Sequence, residues 1–229
     1  GRDVVVPLLM RRGTHRLDML IVTHADADHA GGAAAVLRSI PVRRLLFNGT
    51  VDGGEAAEAM FRAALERGVP IAALARGDAI AVDGETRIAV LHPEGGGGLR
   101  EEEDQNGVSL VLLLTMRGRT FLLTGDIGAA EERRILRAEF PADAPVDVLK
   151  VAHHGSKSAT GDEWLRAWRP RAAVVSAGRN NRYGHPHPSV TERLERHGAA
   201  LYRTDKHGEI QFRVGAGGAL MVRAKLADP

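Results

Sequence analysis

Residues 24–29 read His-Ala-Asp-Ala-Asp-His, and four of these six side chains are metal ligands by type. Donors at positions 24, 26, 28 and 29 can serve two neighbouring ions, with His24 and Asp26 on one and Asp28 and His29 on the other. Ala25 and Ala27 are small enough for the loop to fold tightly. Gly31-Gly32 then permit close approach of the backbone. A calcium loop of the EF-hand type does not fit. Counting from Asp26, its fifth and twelfth positions are Ala30 and Leu37, where oxygen ligands are required. More donors follow at Asp126, His153-His154, His185 and His187. A carboxylate binds through two oxygens, so Asp126 is suited to bridging two ions. Plainer readings stand beside these: a solvated turn at 24–29, a helix N-cap at Asp126, a surface pair at His153-His154. Only one of His185 and His187 needs to reach a metal.

The elements around these residues give the clusters a common position. Leu17 to Thr23 is a short apolar run that predicts a strand, and His24 follows it. An Ala-rich helix to about Ser39 comes after Gly31-Gly32, then a buried strand over 42–47. A helix is predicted over 55–67, with Gly68 as its stop. Short strands follow at 69–74, 79–82 and 87–91. Residues 93–106 read as a loop holding Gly95 to Gly98 and an acidic run from Glu101 to Asp104. A hairpin is predicted from 108–115 and 120–124, turning at Arg117-Gly118-Arg119. Helices at 129–139, 162–168 and 188–197 alternate with strands at 146–151, 172–176 and 199–203, and strands at 209–214 and 219–224 end the chain. The order predicts α/β layers, sheet packed on sheet with helices outside. Asp126, His153-His154 and His185/His187 each follow a predicted buried strand, as His24 does. Strand ends in α/β sheets share a rim where ligands bind, so four loops are expected to converge.

Bulk properties bound the rest. The chain has 229 residues, 44% hydrophobic and 26% charged, which suits one folded domain with a real core. Net charge is +2, from 31 basic and 29 acidic residues, so a nucleic-acid partner is allowed but not demanded. There is no cysteine, which excludes disulfides and thiolate metal sites. No apolar run is long enough to span a bilayer and no signal peptide is visible.

The segment from Thr23 to Gly32 resembles the signature loop of the metallo-β-lactamase superfamily, whose usual form is His-x-His-x-Asp-His. Here Asp26 stands at the second histidine. This variant is similar to the C-terminal domain of the ComEC competence proteins, membrane channels for DNA uptake. Further matching segments are NGVSLVLLL (106–114), LLTGDI (122–127), DVLKVAHHGS (147–156), NNRYGHPH (180–187) and YRTDKHG (202–208). They run in the family's order along nearly the whole chain. The resemblance implies an αββα four-layer sandwich and a single domain over residues 1–229, as a fragment of a larger membrane protein. The family's opening strands carry an Asp-Val-Gly-Gln-Gly-Asp segment that this chain lacks, so its first hairpin is expected to be missing. Asn106 stands where the superfamily usually supplies a histidine, and His92 is the sole histidine in that interval.

The function so implied is hydrolysis of DNA phosphodiesters during competence, degrading the non-transported strand. The metal set is then His24, Asp26, Asp28, His29, Asp126, His153 and His185. Asp28, His153 and His154 are the expected catalytic residues, one of the two histidines on metal and the other protonating the leaving oxygen. Lys157, Arg179, Arg182, Tyr183 and His187 are expected to bind substrate, the cations on phosphate and the tyrosine stacked on a base. Two divalent ions are expected. An oxygen-rich site without thiolates favours harder ions, so Mn²⁺ is expected in use with Zn²⁺ as the alternative. The partners so implied are DNA and the membrane channel domain of the same protein, with the present domain expected on the extracytoplasmic side of the cell membrane. Two other classes compete: a hydrolase of a small ester or phosphodiester, and a non-catalytic DNA-guiding module.

Overall fold

The structure is a computed structural model and describes residues 1–51, 54–95, 104–138 and 145–226. Gly96 to Gly98, the acidic residues Glu101 to Glu103, and the last position of the helix expected over 129–139 lie outside the described residues. The chain forms two compact units. One is Gly1–Asp78 with His92–Leu110, the other Ala79–Leu91 with Val111–Pro229.

The first unit contains α1 (Val5–Arg11), β1 (Leu20–Ile21), α2 (Ala27–Ala30), α3 (Ala33–Ser39), β2 (Leu45–Phe47), α4 (Gly54–Glu66) and β3 (Ile71–Ala73). Its sheet is three parallel strands in the order β1-β2-β3. The expected strand at 17–23 contracts to Leu20–Ile21 plus a single bridge between Leu17 and Val42. Between them Asp18 turns to solvent and pairs with exposed Arg43 at 3.3 Å. In α4, Ala57, Met60, Ala63 and Ala64 are buried, at the three- and four-residue spacing that puts them on one face. Gly68, at φ +62°, follows the helix in the left-handed conformation that ends helices. The core joins Val22, Val36, Leu37, Leu45, Met60 and Ala64. Helices α1 and α2 were not expected. α1 is seven residues with no side-chain N-cap, so its sequence carries no start signal.

The second unit holds a seven-stranded sheet in the order β10-β9-β8-β7-β6-β5-β4. Its strands are β4 (Ala79–Ala81), β5 (Thr86–His92), β6 (Val111–Met116), β7 (Arg119–Leu123), β8 (Val148–Lys150), β9 (Ala172–Val175) and β10 (Ala200–Arg203). Helices α5 (Ala129–Arg137), α6 (Asp162–Trp168), α7 (Pro188–Arg196) and α8 (Thr204–His207) alternate with the later strands, and β11 (Ile210–Val214) pairs antiparallel with β12 (Leu220–Ala224). β6 and β7 form the expected hairpin, with Met116 opposite Arg119. Arg117 and Gly118 both have positive φ, 49° and 75°, as a two-residue hairpin turn requires. From β7 to β10 all neighbours are parallel. Val148, Leu149, Ala172, Ala173 and Val175 are buried, giving the near-continuous apolar runs of strands covered on both faces. The core includes Leu122, Ile127, Leu149, Trp164, Leu165 and Val175.

That parallel run positions three of the four chemical clusters. The register sets Leu123, Lys150 and Val174 abreast. Asp126 lies three residues beyond Leu123 and His153 three beyond Lys150, so the loops after β7, β8 and β9 leave from one edge of the sheet.

Candidate metal centre

In the first unit, the loop after β1 carries four of the predicted ligands. Leu110 N donates to Thr23 O at 2.8 Å, which lays the segment before β6 beside the loop. His24 is 1% exposed, and its Nδ1 lies 3.1 Å from both Thr23 Oγ1 and Ser109 Oγ. Two hydroxyls at Nδ1 orient the ring and leave Nε2 to face Asp26, 3.7 Å from Oδ2. The His29 ring sits 4.0 Å from the His24 ring; its Nδ1 is 3.3 Å from Thr23 Oγ1 and its Nε2 3.7 Å from Asp28 Oδ2. Asp26 precedes α2 without a side-chain capping bond. A Cβ on Gly31 would lie 2.3 Å from Ala27 O, so only glycine fits the close turn behind the ligands. His92 is a buried residue at the end of β5, not a loop residue. Its Nε2 donates to Gly107 O at 2.8 Å and pins the turn that leads to Ser109. Asn106 lies in that same turn, its carbonyl accepting from Ser109 N at 3.1 Å.

In the second unit, Asp126 follows β7 and is 2% exposed. It is not the N-cap of α5; Gly128 holds that position. Its carboxylate meets His154 Nε2 at 3.0 Å through Oδ2 and Lys150 Nζ at 3.4 Å through Oδ1. His154 Nδ1 donates to Ser176 O at 2.7 Å, just past β9. A carbonyl only accepts, so Nδ1 carries a proton and Nε2 faces the carboxylate. The Asp126 hydrogen bond holds the His154 imidazole above its usual pKa. Nε2 and Oδ2 thus face each other across 3.0 Å. A cation on that line would meet the same two donors, and imidazole with its other N–H on a backbone carbonyl is the usual form of a metal-bound histidine.

His153 and His154 both have positive φ, 47° and 53°, which is uncommon for residues with a Cβ. The turn they form packs tightly: a Cβ on Gly155 would lie 2.6 Å from Pro186. His185 is thereby set near His153, ring centroids 6.0 Å apart. Burial, then the neighbouring His153 and His154, lower the His185 pKa, and its Nδ1 is buried without a hydrogen-bond partner. A neutral imidazole with an unpartnered nitrogen fits a metal ligand. Asn181 fixes the loop, its Nδ2 donating to His185 O (2.7 Å) and its Oδ1 accepting from His185 N (2.8 Å). His187 caps α7, its Nδ1 accepting from Ser189 N at 3.2 Å. Tyr183 is 83% exposed and stacked on His185 at 5.9 Å. Lys157, Arg179 and Arg182 are exposed.

Sequence reasoning assigned no role to Ser109, Thr23, Lys150, Ser176 or Asn181. Four of these lie inside segments already singled out: Thr23 in 23–32, Ser109 in 106–114, Lys150 in 147–156 and Asn181 in 180–187. Their hydrogen bonds cross gaps of up to 85 residues, as between Ser109 and His24, which spacing along the chain does not reveal.

Residues 9–179 match the sequence profile of the metallo-β-lactamase superfamily. The chain belongs to that superfamily. It is 39% identical over 213 residues to ComE operon protein 3 of Bacillus subtilis, covering 93% of this chain and 26% of that protein. Competence protein ComA of Neisseria gonorrhoeae is 33% identical, over 97% of this chain and 29% of that protein. The chain therefore spans about a quarter of the length of these relatives. A crystal structure of a metal-dependent hydrolase of the β-lactamase superfamily aligns with a TM-score of 0.55 at 11% identity, covering 98% of this chain and 87% of that one. The helices and sheets are consistent with the αββα class. Membership implies a metal-dependent hydrolase, and the His/Asp clusters suggest divalent metal binding. Among the described residues no helix is long and apolar enough to cross a membrane.

Proposed function

We propose that this chain is the nuclease part of a DNA-uptake protein, hydrolysing DNA phosphodiesters and degrading the strand that is not transported. What carries the reading is the Asp126–His154 pair at 3.0 Å in a chain 39% identical to a com-operon protein. The two units are, in this reading, parts of one domain over residues 1–229, itself part of a cell-membrane protein and facing the extracytoplasmic side. Its partners are DNA and the channel portion of that protein. Two divalent ions, Mn²⁺ in preference to Zn²⁺, would be held by His24, Asp26, Asp28, His29, Asp126, His153 and His185. Bound ions supply a water of lowered pKa and neutralise charge on the phosphate.

The chain's own residues do the rest. Ser109 and Thr23 orient His24, and Asp126 and Ser176 orient His154. Asp28 and whichever of His153 and His154 is free of metal act at the reacting phosphate, the histidine giving its proton to the leaving oxygen. Lys157, Arg179 and Arg182 bind flanking phosphates, with Tyr183 and His187 beside them. The test is cleavage of plasmid and of a labelled single-stranded oligonucleotide by metal-stripped protein, with Mn²⁺, Mg²⁺ and Zn²⁺ restored separately. Mn²⁺ is expected to restore cleavage. No cleavage with any ion would sink the nuclease reading, and activity with Zn²⁺ but not Mn²⁺ would sink the metal assignment.

A further inference from the structure

Lys150 sits against the Asp126 carboxylate, and no ligand set uses it. An ionised carboxylate that is 2% exposed needs compensation, because burial without it is strongly unfavourable. His154 compensates Oδ2. Lys150 compensates Oδ1, with Nζ at 3.4 Å. An ammonium has three N–H donors. Nζ also donates to Gly125 O at 3.0 Å and to Val151 O at 3.3 Å. The carboxylate contact is the longest of the three. If it is broken, two carbonyls still hold the ammonium, so Lys150 can release Oδ1 without being left bare.

We propose that Lys150 is a resident counter-cation of the metal centre, holding Asp126 Oδ1 in the metal-free chain and giving up that oxygen when a divalent ion binds. The inference rests on the metal reading above, though not on its DNA substrate. A cation bound beside a dication opposes it, and competition for one oxygen adds to the opposition. Lys150 therefore lowers metal affinity and, in exchange, keeps the metal-free protein folded. Coupling between two binding partners is reciprocal, so both effects must appear together. The plain alternative is that Lys150 only ties the β7 and β8 loops together through the two carbonyls. That role would make its loss equally harmful with and without metal.

The experiment is equilibrium titration of Mn²⁺ into the metal-stripped 229-residue chain, wild type and Lys150→Met, with thermal unfolding of each with and without saturating Mn²⁺. Lys150→Met is expected to bind Mn²⁺ about fivefold more tightly or better, within the usual range of coupled sites. Its deficit in Tm is expected to shrink once metal is bound. Unchanged or weaker affinity, or the same Tm deficit in both states, overturns the proposal. If Lys150→Met is unfolded without metal, recovery of far-UV circular dichroism on adding Mn²⁺ supports it, and no recovery overturns it. A wild type that binds no metal overturns the metal reading and this inference together. A wild type that binds Mn²⁺ yet cleaves no DNA, alongside tighter binding by Lys150→Met, overturns only the nuclease reading and supports the role of Lys150.

Discussion

At the scale of single residues, each carboxylate oxygen of Asp126 already has a named partner, Lys150 on Oδ1 and His154 on Oδ2. Asp126→Ala should lower Mn²⁺-supported cleavage by about a hundredfold or more, the upper end of what even an outer-shell change costs a metal enzyme. Cleavage by the variant at the wild-type rate would point to a contaminating nuclease. Ser109 is the outer partner of His24. Ser109→Ala should weaken metal binding roughly tenfold while leaving the unfolding curve near wild type, as read by titration and circular dichroism. The ligand types were legible in the sequence because His-Ala-Asp-Ala-Asp-His packs its donors into six residues. Ser109, Ser176 and Lys150 were not. Serine and lysine are common residue types, and only folding brings these three to their partners.

At the scale of elements, the turn before α6 shows how a helix positions the loop after β8. Glu132 on α5 is buried, and its carboxylate accepts from Thr160 N and from Gly161 N, the latter at 2.9 Å. Arg193 on α7 donates to Thr160 O at 2.8 Å, so the turn is held from two helices. Burial pushes the Glu132 carboxyl up to about 7, against the pull of the two amides and Arg193. In the unfolded chain the same group titrates near 4.5. Between these values the folded state binds more protons than the unfolded state, so this contribution to stability falls as pH rises from about 4.5 to about 7. Urea unfolding from pH 5 to 8 should show wild type losing stability relative to Glu132→Gln, by on the order of 3 kcal/mol across the window. A difference that does not change with pH would refute the assignment. Strands and helices with strong patterns were legible: α6 and the β6–β7 hairpin stand close to their predicted bounds. α1, α2 and the 3-10 turn at Ala152–Gly155 were not, being short and stabilised by packing rather than by their own propensity.

At the scale of the whole molecule, the chain is a quarter-length counterpart of the proteins it matches, so its substrate must be tested on the chain itself. Lys157, Arg179 and Arg182 are exposed cations without a structural role in the core. If they bind phosphates, the affinity for single-stranded DNA should fall roughly twentyfold between about 50 and 200 mM salt, as three phosphate contacts predict. An Arg179→Ala, Arg182→Ala double variant should flatten that slope, measured by fluorescence anisotropy; an unaltered slope would remove both residues from the interface. The αββα class was legible because motifs run in family order along the chain. The seven-stranded order of the second sheet was not, since strand pairing is decided by contacts between distant segments. That sheet ends in β4 and β10, of three and four residues. A short edge exposes few unpaired amides and carbonyls, and so makes a poor template for another chain's strand. At both margins of this sheet, then, little backbone is on offer for another chain to pair with, although the parallel run between them supplies three of the loops that carry the metal-ligand candidates.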